Sequence, residues 1–310
     1  MRKYAIFKIK SVGKHYLTGL PTGLSRKDRK TISNYGQSYV EWAEPMDVKA
    51  FAVSDFINPH PEETTAYIVY MLETMAEIAD ILGKSADRKL YTKYADIVRG
   101  GYQKLIETEK YSYDTDRQAK LVRPLYLKLL SEKQTEFAKE RLLKALENYG
   151  WRLGTGFLST PFILYVLADM DIEYAYRLLE NEEMPGWLFM PKMGANTIWE
   201  SWEGTAAQGG VASLNHYSKG AVCEWLFGEM CGIQVAENNT YVIAPKVGGT
   251  LTHASCEYNG IYGKVKSEWR RENGKTIYLI TVPSNASAKL VLPDGEHICG
   301  AGAHEFIKLK

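Results

Sequence analysis

The chain has few cysteines, almost no net charge and no long apolar run, and each shortage excludes a class of protein. Its four cysteines, at 223, 231, 256 and 299, never form a C-x-x-C pair, so their spacing predicts neither a zinc site nor a disulfide framework. Lysine and arginine (38) nearly balance aspartate and glutamate (37), which leaves a formal net charge of +1. Since no basic patch results, a nucleic-acid partner is not expected.

The apolar segments are too short to anchor the chain in a membrane. No stretch of 18 apolar residues occurs, and the basic N-terminal sequence MRKYAIFKIKSVGKHY has no apolar run of signal-peptide length. We therefore expect a cytoplasmic protein with no membrane partner. From the cysteine spacing we also expect reduced cysteines and no metal, and we expect no cofactor. With 45% hydrophobic and 24% charged residues, the composition is that of an ordinary globular protein.

Aromatic residues are what the chain has in excess, with 21 Tyr and 7 Trp in a total of 12% aromatics. Most rings of a globular protein fill its core. A surplus of rings also suits a surface that stacks on flat apolar ligands, and sugar rings are one such ligand. Composition alone leaves both interpretations open.

Between residues 60 and 232 the apolar periodicity predicts paired helices. Apolar residues recur every three or four positions from Ile68 to Leu82 and again from Leu90 to Leu105, and Gly83 separates the two runs. A third helix is predicted over about residues 117–130. No repeat of tetratricopeptide or HEAT length occurs, which favours a closed toroid of helical hairpins over a solenoid.

Local capping signals mark three further helices. Ser131 and Gln134 form an S-x-x-Q capping box. Thr160 is predicted to cap a helix whose first residue is a proline, and Asp171 is predicted to cap the next one. A last helix is expected over about residues 216–230.

From residue 235 the apolar period changes to two. Asn-Gly at 259 and 273 and Asp-Gly at 294 separate the β-rich runs, as expected for hairpin turns. These runs predict a small antiparallel sandwich. We place an irregular segment at 1–58, the helical domain at 59–233 and the β-sandwich at 234–310.

The sequence TIWESWEGT sets Glu200 and Glu203 beside Trp199 and Trp202. A glycosidase needs two carboxyl groups across the scissile bond, one to protonate the leaving oxygen and one to activate water or attack carbon. A tryptophan beside a carboxylate supplies a wall for sugar stacking. Exposed charges on a loop anchored by its tryptophans would give the same pattern, so this alternative stays open.

Three other features favour a site. Asn215 and His216 lie where a helix is predicted to begin, a position that attracts oxygen-rich ligands. Trp187 follows a Pro-Gly turn, and the sequence EWAEP sets Glu41 and Trp42 together on a loop. Each feature has a structural alternative, because a single histidine is commonly a hydrogen-bond donor and a tryptophan after Pro-Gly commonly fills a core.

Three segments of the helical region, GTGFLSTPFILYVL, MPGWLFMPKMGANTIWESWEG and LNHYSKGAVCEWLFGEMCGI, resemble the characteristic stretch of the bacterial α-L-rhamnosidases, the family-78 glycoside hydrolases. Two C-terminal segments, VPSNASAKLVLPDG and GAHEF, are similar to the closing β-domain of that family. The resemblance implies a mainly α fold, a partial (α/α)6 barrel of helical hairpins followed by a small antiparallel β-sandwich. It also implies inverting hydrolysis of terminal α-L-rhamnose from glycosides.

The resemblance also implies residue roles. The first glutamate of the T-x-W-E-x-W motif, the family's general base, matches Glu200, and the histidine of its N-H-Y motif, which lines the rhamnose pocket, matches His216. The loop between these two positions is shorter here than in the family. The tryptophan of the family's G-D-W loop matches Trp42, with Glu41 where aspartate is common. The remaining predicted sugar contacts are Trp187 and Trp202.

The family's general acid lies on an earlier loop, in a D-x-x-R-x-E type segment that this sequence does not contain. The sequence SRKDRK offers Asp28 and Arg29 without the acidic partner. The substitutes near the predicted pocket are Glu41, Glu44 and Asp55. About seven or eight helices are predicted where a complete barrel has twelve, so we expect a second copy of the chain or a missing N-terminal segment to cover the open face.

Three functions are consistent with the sequence. The first is an active portion of a rhamnosidase, whole by itself or completed by another chain, which predicts hydrolysis. The second is a carbohydrate-binding remnant that has lost its acid, which predicts binding without hydrolysis. The third is a helical interaction scaffold whose aromatic residues only form the core, which predicts neither.

Overall fold

The computed structural model describes residues 32, 41–49, 59–209, 212–236 and 239–309. Among the positions discussed above, Asp28, Arg29 and Asp55 lie outside these ranges. The described chain forms a helical part followed by a β-sandwich, in the order that the sequence predicts.

Helices of eight or more residues form the frame of the helical part and pair as hairpins. They are α1 (Pro61–Ile81), α2 (Ser85–Leu105), α3 (Ala119–Tyr126), α4 (Glu132–Asn148), α5 (Thr160–Met170) and α6 (Ile172–Leu179). α1 packs against α2, α3 against both α4 and α5, and α5 against α6. The hairpin pairing and the mainly α fold are therefore confirmed.

Shorter turns complete the helical part. They are 3-10 turns at Glu109–Tyr111, Gly204–Gly209 and Ser218–Ala221, the short helices α7 (Phe189–Lys192) and α8 (Val222–Trp225), and a π-helical turn at Leu226–Met230. The predicted helix over 216–230 is wrong at its start. The Ser218 N–H donates to Nδ1 of His216 (3.3 Å) and the Gly220 N–H donates to the Tyr217 carbonyl (2.9 Å), so the chain enters through a 3-10 turn.

Local capping signals are confirmed where their partners are close in sequence. Ser131 and Gln134 form both hydrogen bonds of the capping box, and the Asp171 carboxylate accepts from the Glu173 N–H at 2.9 Å. The predicted cap Thr160 is instead the first residue of α5, and Ser159 precedes it. The Ser159 hydroxyl makes no cap, because it donates to the Glu41 carboxylate at 2.7 Å.

The sandwich consists of two four-stranded sheets. One sheet has the order β1 (Ile233–Val235), β2 (Thr240–Ile243), β6 (Ser287–Leu292) and β7 (Gly295–Cys299), and the other has the order β3 (His253–Gly260), β4 (Gly263–Glu272), β5 (Lys275–Val282) and β8 (Gly302–Leu309). The antiparallel pairing is confirmed with one departure. β2 runs parallel to β6. Strands β3, β4 and β5 of the other sheet lie between them in the chain, so no short hairpin joins β2 to β6.

The hairpin turns follow their sequence signals closely. Asn273 and Gly274 both have positive φ, 50° and 73°, as a type I′ turn requires. At the earlier Asn-Gly the turn lies two residues later than predicted, since Gly260 pairs with Gly263.

The helical part and the sandwich share one buried cluster. Trp225 on α8 and Trp269 on β4 are almost completely buried in it. The Trp269 indole N–H donates to the Met230 carbonyl (2.9 Å), and the Ser267 hydroxyl donates to the Cys231 carbonyl (2.6 Å). The sandwich therefore closes the end of the last helical segment.

One face of α1 is exposed. Tyr70, Met71 and Ile81 are 47%, 54% and 85% exposed, so the expectation that another copy or another segment covers this face stays a prediction. Within the described residues, no helix combines the length and the apolar character that crossing a membrane requires.

Candidate active site

Three loops meet at the N-terminal ends of α1, α3 and α5. The first is residues 41–49, the second is the connection 151–159 between α4 and α5, and the third comprises residues 197–209 and 212–217. The Phe157 N–H donates to the Trp42 carbonyl at 2.8 Å. A Cβ on Gly156 would lie 2.4 Å from that same carbonyl oxygen, so glycine is required where the first two loops touch.

Glu200 is held between the first and third loops. Its Oε1 accepts from the Trp42 indole N–H at 2.9 Å, and its Oε2 accepts from the Ser213 N–H at 2.8 Å. Burial raises the pKa of this carboxyl, but the hydrogen bonds from Ser213 and Trp42 and the nearby His216 outweigh burial, and the net pKa is lowered. Glu200 is therefore ionised at neutral pH and has lone pairs left to accept a proton.

His216 stands in a stack of three rings at the side of the site. Its ring centroid lies 4.8 Å from that of Phe157 and 4.9 Å from that of Tyr217. Because Nδ1 accepts from the Ser218 N–H, the neutral ring carries its proton on Nε2. Nε2 can therefore donate to an oxygen of a ligand.

Glu203 has a different role from Glu200, although both belong to the same short motif. Its Oε1 accepts from the Met46 N–H at 2.8 Å, which ties the third loop to the first. Trp199 packs over Gly204, where a Cβ would lie 2.8 Å from the indole ring. Glu200, by contrast, accepts from the Trp42 indole N–H and the Ser213 N–H, so the two motif carboxylates have different partners.

Two of the predicted sugar-stacking tryptophans lie beneath the site. Trp202 is completely buried, and its indole N–H donates to the Thr155 carbonyl at 2.9 Å. Trp187 is also buried, and its indole N–H donates to the Lys219 carbonyl at 3.0 Å. The two rings contact each other edge to face, with centroids 5.9 Å apart. Their burial corrects the prediction of sugar contact, because these rings support the floor of the site.

Glu41 is likewise corrected from a sugar contact to a buried anchor. Its carboxylate is paired with the Arg123 guanidinium at 2.7 Å and accepts from the N–H groups of Gly156 (2.9 Å) and Ser159 (2.8 Å). All of these groups are buried. The carboxylate is therefore saturated and faces the interior.

Glu44, which the sequence offered as a general acid along with Glu41, is likewise paired with an arginine. Glu44 forms two hydrogen bonds to Arg117, at 2.8 and 2.6 Å. Burial raises the pKa of this carboxyl against the lowering effect of Arg117. Its side chain is buried, so Glu44 is not placed to protonate a leaving group.

Arg123 and Lys219 are parts of this site that the sequence did not predict. Both are completely buried. A signal for Arg123 is present in LVRPLY, where a charge interrupts an apolar helical face. Lys219 follows the N-H-Y motif and carries no comparable signal. Within the described ranges, no cluster of His, Cys, Asp and Glu side chains is arranged to hold a metal ion.

Comparison with known families matches both parts of the chain. Residues 15–230 match the model of the bacterial alpha-L-rhamnosidase six-hairpin glycosidase domain, and residues 239–306 match the bacterial alpha-L-rhamnosidase C-terminal domain. The two matches meet close to β1, where the helical part gives way to the sandwich.

Curated relatives carry the same description. An alpha-L-rhamnosidase of Formosa agariphila is 30% identical over 273 residues, which cover 85% of this chain and 29% of the relative. An alpha-L-rhamnosidase of Streptomyces avermitilis is 32% identical over 244 residues, which cover 76% of this chain and 24% of the relative. The chain thus spans less than a third of the length of these relatives.

Solved structures give the same picture. The alpha-L-rhamnosidase of Streptomyces avermitilis complexed with L-rhamnose superimposes with a TM-score of 0.78 at 26% identity, covering 98% of this chain and 30% of that one. The alpha-L-rhamnosidase of Aspergillus terreus superimposes with a TM-score of 0.76 at 29% identity, covering 87% of this chain and 33% of that one. Since a family model matches well over half of its residues, this chain belongs to the bacterial α-L-rhamnosidase family.

Proposed function

We propose that this chain is the portion of an inverting α-L-rhamnosidase that carries the general base, and that Glu200 is this base. The observation that supports the proposal is the pair of hydrogen bonds from Trp42 and Ser213, which fixes the carboxylate and lowers its pKa. A relative solved with L-rhamnose superimposes on nearly the whole chain. The proposed substrate is a glycoside with a terminal α-L-rhamnose.

In the proposed reaction, water attacks the anomeric carbon from the face opposite the leaving group. The Glu200 carboxylate accepts a proton from that water as the new carbon–oxygen bond forms and the glycosidic bond breaks, so the configuration inverts. The leaving oxygen takes a proton from a general acid across the site. Among the described residues, neither Glu41 nor Glu44 is free for that role, because each is buried and bound to an arginine.

The sugar itself would lie against Trp42 and His216. We place the half-buried Trp42, whose indole N–H donates to Glu200, beside an apolar side of the sugar. His216 presents Nε2–H, which can donate to a sugar hydroxyl. The stacking of His216 on Phe157 fixes the direction of this donor.

A carbohydrate-binding remnant is the second candidate, and the saturation of Glu41 and Glu44 is the observation that favours it. Loss of general acid catalysis costs a factor of about 10² to 10⁴ in rate. An interaction scaffold is less favoured, because it gives no reason for the Glu200 carboxylate to be fixed by a tryptophan 158 residues away.

Release of 4-nitrophenol from 4-nitrophenyl α-L-rhamnoside tests the proposal, with Glu200→Gln as the variant. We expect kcat/KM to fall by at least about 100-fold, while Glu257→Gln, at an exposed carboxylate on β3, leaves it unchanged. The acidic limb of the pH profile should lie below the ordinary glutamate pKa of about 4.3, because the pKa of Glu200 is lowered.

Two other outcomes distinguish the alternatives. Absence of turnover, together with calorimetric binding of L-rhamnose that Trp42→Ala and His216→Ala remove, supports the remnant. Absence of both turnover and binding supports the scaffold and overturns the proposed function.

The cytoplasmic location and the covering partner stay predictions. Cell fractionation of the native host tests the location. Light scattering of the purified chain tests whether a second copy covers the exposed face of α1.

A further inference from the structure

Lys219 places an ammonium group inside the site. The residue is completely buried, in the 3-10 turn that follows His216. Its Nζ donates to the Ala43 carbonyl at 2.9 Å and to the Thr155 carbonyl at 3.3 Å. The same nitrogen lies 4.3 Å from the ring centroid of Trp202. Lys219 therefore joins the turn that carries it to the first and second loops.

The contact with Ala43 falls at a strained point of the first loop. Ala43 has a φ of 54°, a left-handed conformation that a residue with a side chain rarely adopts. It directly follows Trp42, so the direction of the Ala43 carbonyl and the position of the indole depend on each other. The Thr155 carbonyl has a second donor in Trp202, whereas Lys219 supplies the side-chain hydrogen bond to Ala43.

Neutralisation of the buried carboxylates does not explain Lys219. Glu41 and Glu44 are paired with Arg123 and Arg117. Within the part of the chain that the structure describes, no carboxylate oxygen lies within ion-pair distance of the Lys219 ammonium. Its direct partners are two backbone carbonyls and the rings of Trp202 and Phe157, which are groups that define the shape of the loops.

We propose that Lys219 is a positioning residue, which holds the Ala43 carbonyl and thereby keeps the Trp42 indole N–H on the Glu200 carboxylate. The proposal deepens the proposed function, and its effect on sugar binding rests on that function. Its structural effect, the position of the Trp42 indole, can be measured without any sugar.

The geometry also makes the contact sensitive to pH. Burial lowers the pKa of Lys219 to about 7, although the facing carboxylates of Glu41, Glu44, Glu203 and Glu200 act to raise it. Above this pH the ammonium becomes a neutral amine, which donates weaker hydrogen bonds to the same carbonyls. The Trp42–Glu200 contact should therefore loosen as pH rises through 7.

The indole N–H resonances of ¹⁵N-labelled protein give the direct test. Trp42 is assigned by its absence in Trp42→Phe, and Glu200→Gln shows how far the resonance moves when its acceptor loses its charge. We expect Lys219→Met to move the Trp42 resonance by a comparable amount. Lys120→Met, at a partly buried lysine on α3 that is bonded to the Ser112 carbonyl instead, should leave it in place. An unmoved Trp42 resonance in folded Lys219→Met overturns the proposal.

A pH titration of the unsubstituted protein covers the case in which Lys219→Met does not fold. The Trp42 resonance should shift with a midpoint near 7, and the shift should persist in His216→Gln, which removes the neighbouring imidazole. A titration that disappears with the imidazole, or that never occurs, contradicts the role of Lys219.

Calorimetry with L-rhamnose tests whether the position of the first loop affects sugar binding. We expect Lys219→Met to weaken rhamnose binding at least about tenfold at pH 6, and Lys120→Met to leave it unchanged. Unchanged affinity in Lys219→Met argues against positioning. If the unsubstituted protein binds no rhamnose, the proposed function fails, while the indole resonances still decide the role of Lys219.

Discussion

At the scale of single residues, Arg123 forms two buried ion pairs. Its guanidinium lies 2.7 Å from Glu41 and 2.6 Å from Glu62, and all three side chains are buried. Burial alone would lower the pKa of Arg123, but the charges of Glu62 and Glu41 raise it well above its usual value. Because Glu41 directly precedes Trp42, this cluster fixes the start of the first loop.

Arg123→Met tests the cluster. Removal of the guanidinium leaves two buried carboxylates without their partner, so we expect the free energy of unfolding to fall by about 3–5 kcal/mol. Urea denaturation followed by circular dichroism measures the change. Arg141→Met is the control, since Arg141 pairs with the exposed Asp114 and Asp116 and should cost no more than about 1 kcal/mol. Equal losses in the two variants would contradict the importance of burial.

Because Lys219 is buried, it should make the free energy of unfolding depend on pH. Its pKa is about 7 in the folded protein and about 10.4 in the unfolded chain, so the unfolded chain binds more protons between these values. Stability therefore rises with pH across that window, by up to about 1.4 kcal/mol per unit. We expect this rise in the difference between the unsubstituted protein and Lys219→Met, measured by urea denaturation at pH 7, 8 and 9. A difference that stays constant with pH would contradict the lowered pKa of Lys219.

At the scale of elements, the approach of two loops depends on Gly156. Gly156→Ala would set a Cβ 2.4 Å from the Trp42 carbonyl oxygen, and the loops would have to separate. We expect a loss of about 2 kcal/mol or more in the free energy of unfolding, together with a shift of the Trp42 indole resonance.

Gly100→Ala is the matched control, because a Cβ there meets nothing within 4 Å. Gly100 lies inside α2, where alanine should add up to about 1 kcal/mol of stability. A destabilised Gly100→Ala, or a neutral Gly156→Ala, would contradict the difference in local packing between the two positions.

Local signals in the sequence predicted helix caps and turns, whereas contacts between distant residues were not predictable. The capping box of Ser131 and Gln134 and the Asn-Gly turn at 273 were predictable because each signal and its partner lie within a few residues. The cap at Thr160 was misassigned by one position because Ser159 bonds to Glu41, which is 118 residues away. Information of that kind is not present in a local pattern.

The site residues likewise include some that were predicted and some that were missed. Glu200, Trp42 and His216 were predicted from the family resemblance, and the structure brings Glu200 and Trp42 together across 158 residues. Trp202 was predicted as a sugar contact because it lies beside a carboxylate, and Trp187 because it follows a Pro-Gly turn; both patterns are the same whether the ring is exposed or buried. Lys219 was missed because its acceptor Ala43 lies 176 residues away and is a backbone carbonyl, which has no signature in the sequence.

At the scale of the whole molecule, the helical part and the sandwich share a buried cluster that includes Trp225, Ile233 and Trp269. Separate domains would be expected to unfold separately. Because the shared cluster must open when either part unfolds, we expect a single calorimetric transition, with helical and strand signals lost together. Two resolved transitions would contradict this coupling.

Trp269→Phe tests which contact couples the two parts. The variant keeps an aromatic ring but removes the N–H that bonds the Met230 carbonyl. We expect the single transition to move to lower temperature, since a buried carbonyl loses its partner at a cost of about 1–3 kcal/mol. Tyr262→Phe on the exposed β3–β4 turn should not move it.

The indole of Trp269 satisfies the carbonyl of Met230, the last residue of the final helical segment, where helical carbonyls lack partners of their own. A chimaera that exchanged this sandwich for a foreign one would therefore also remove the donor to the Met230 carbonyl at the end of the last helical segment. The end of the helical segment would fray unless the foreign sandwich placed an equivalent ring N–H at the same position.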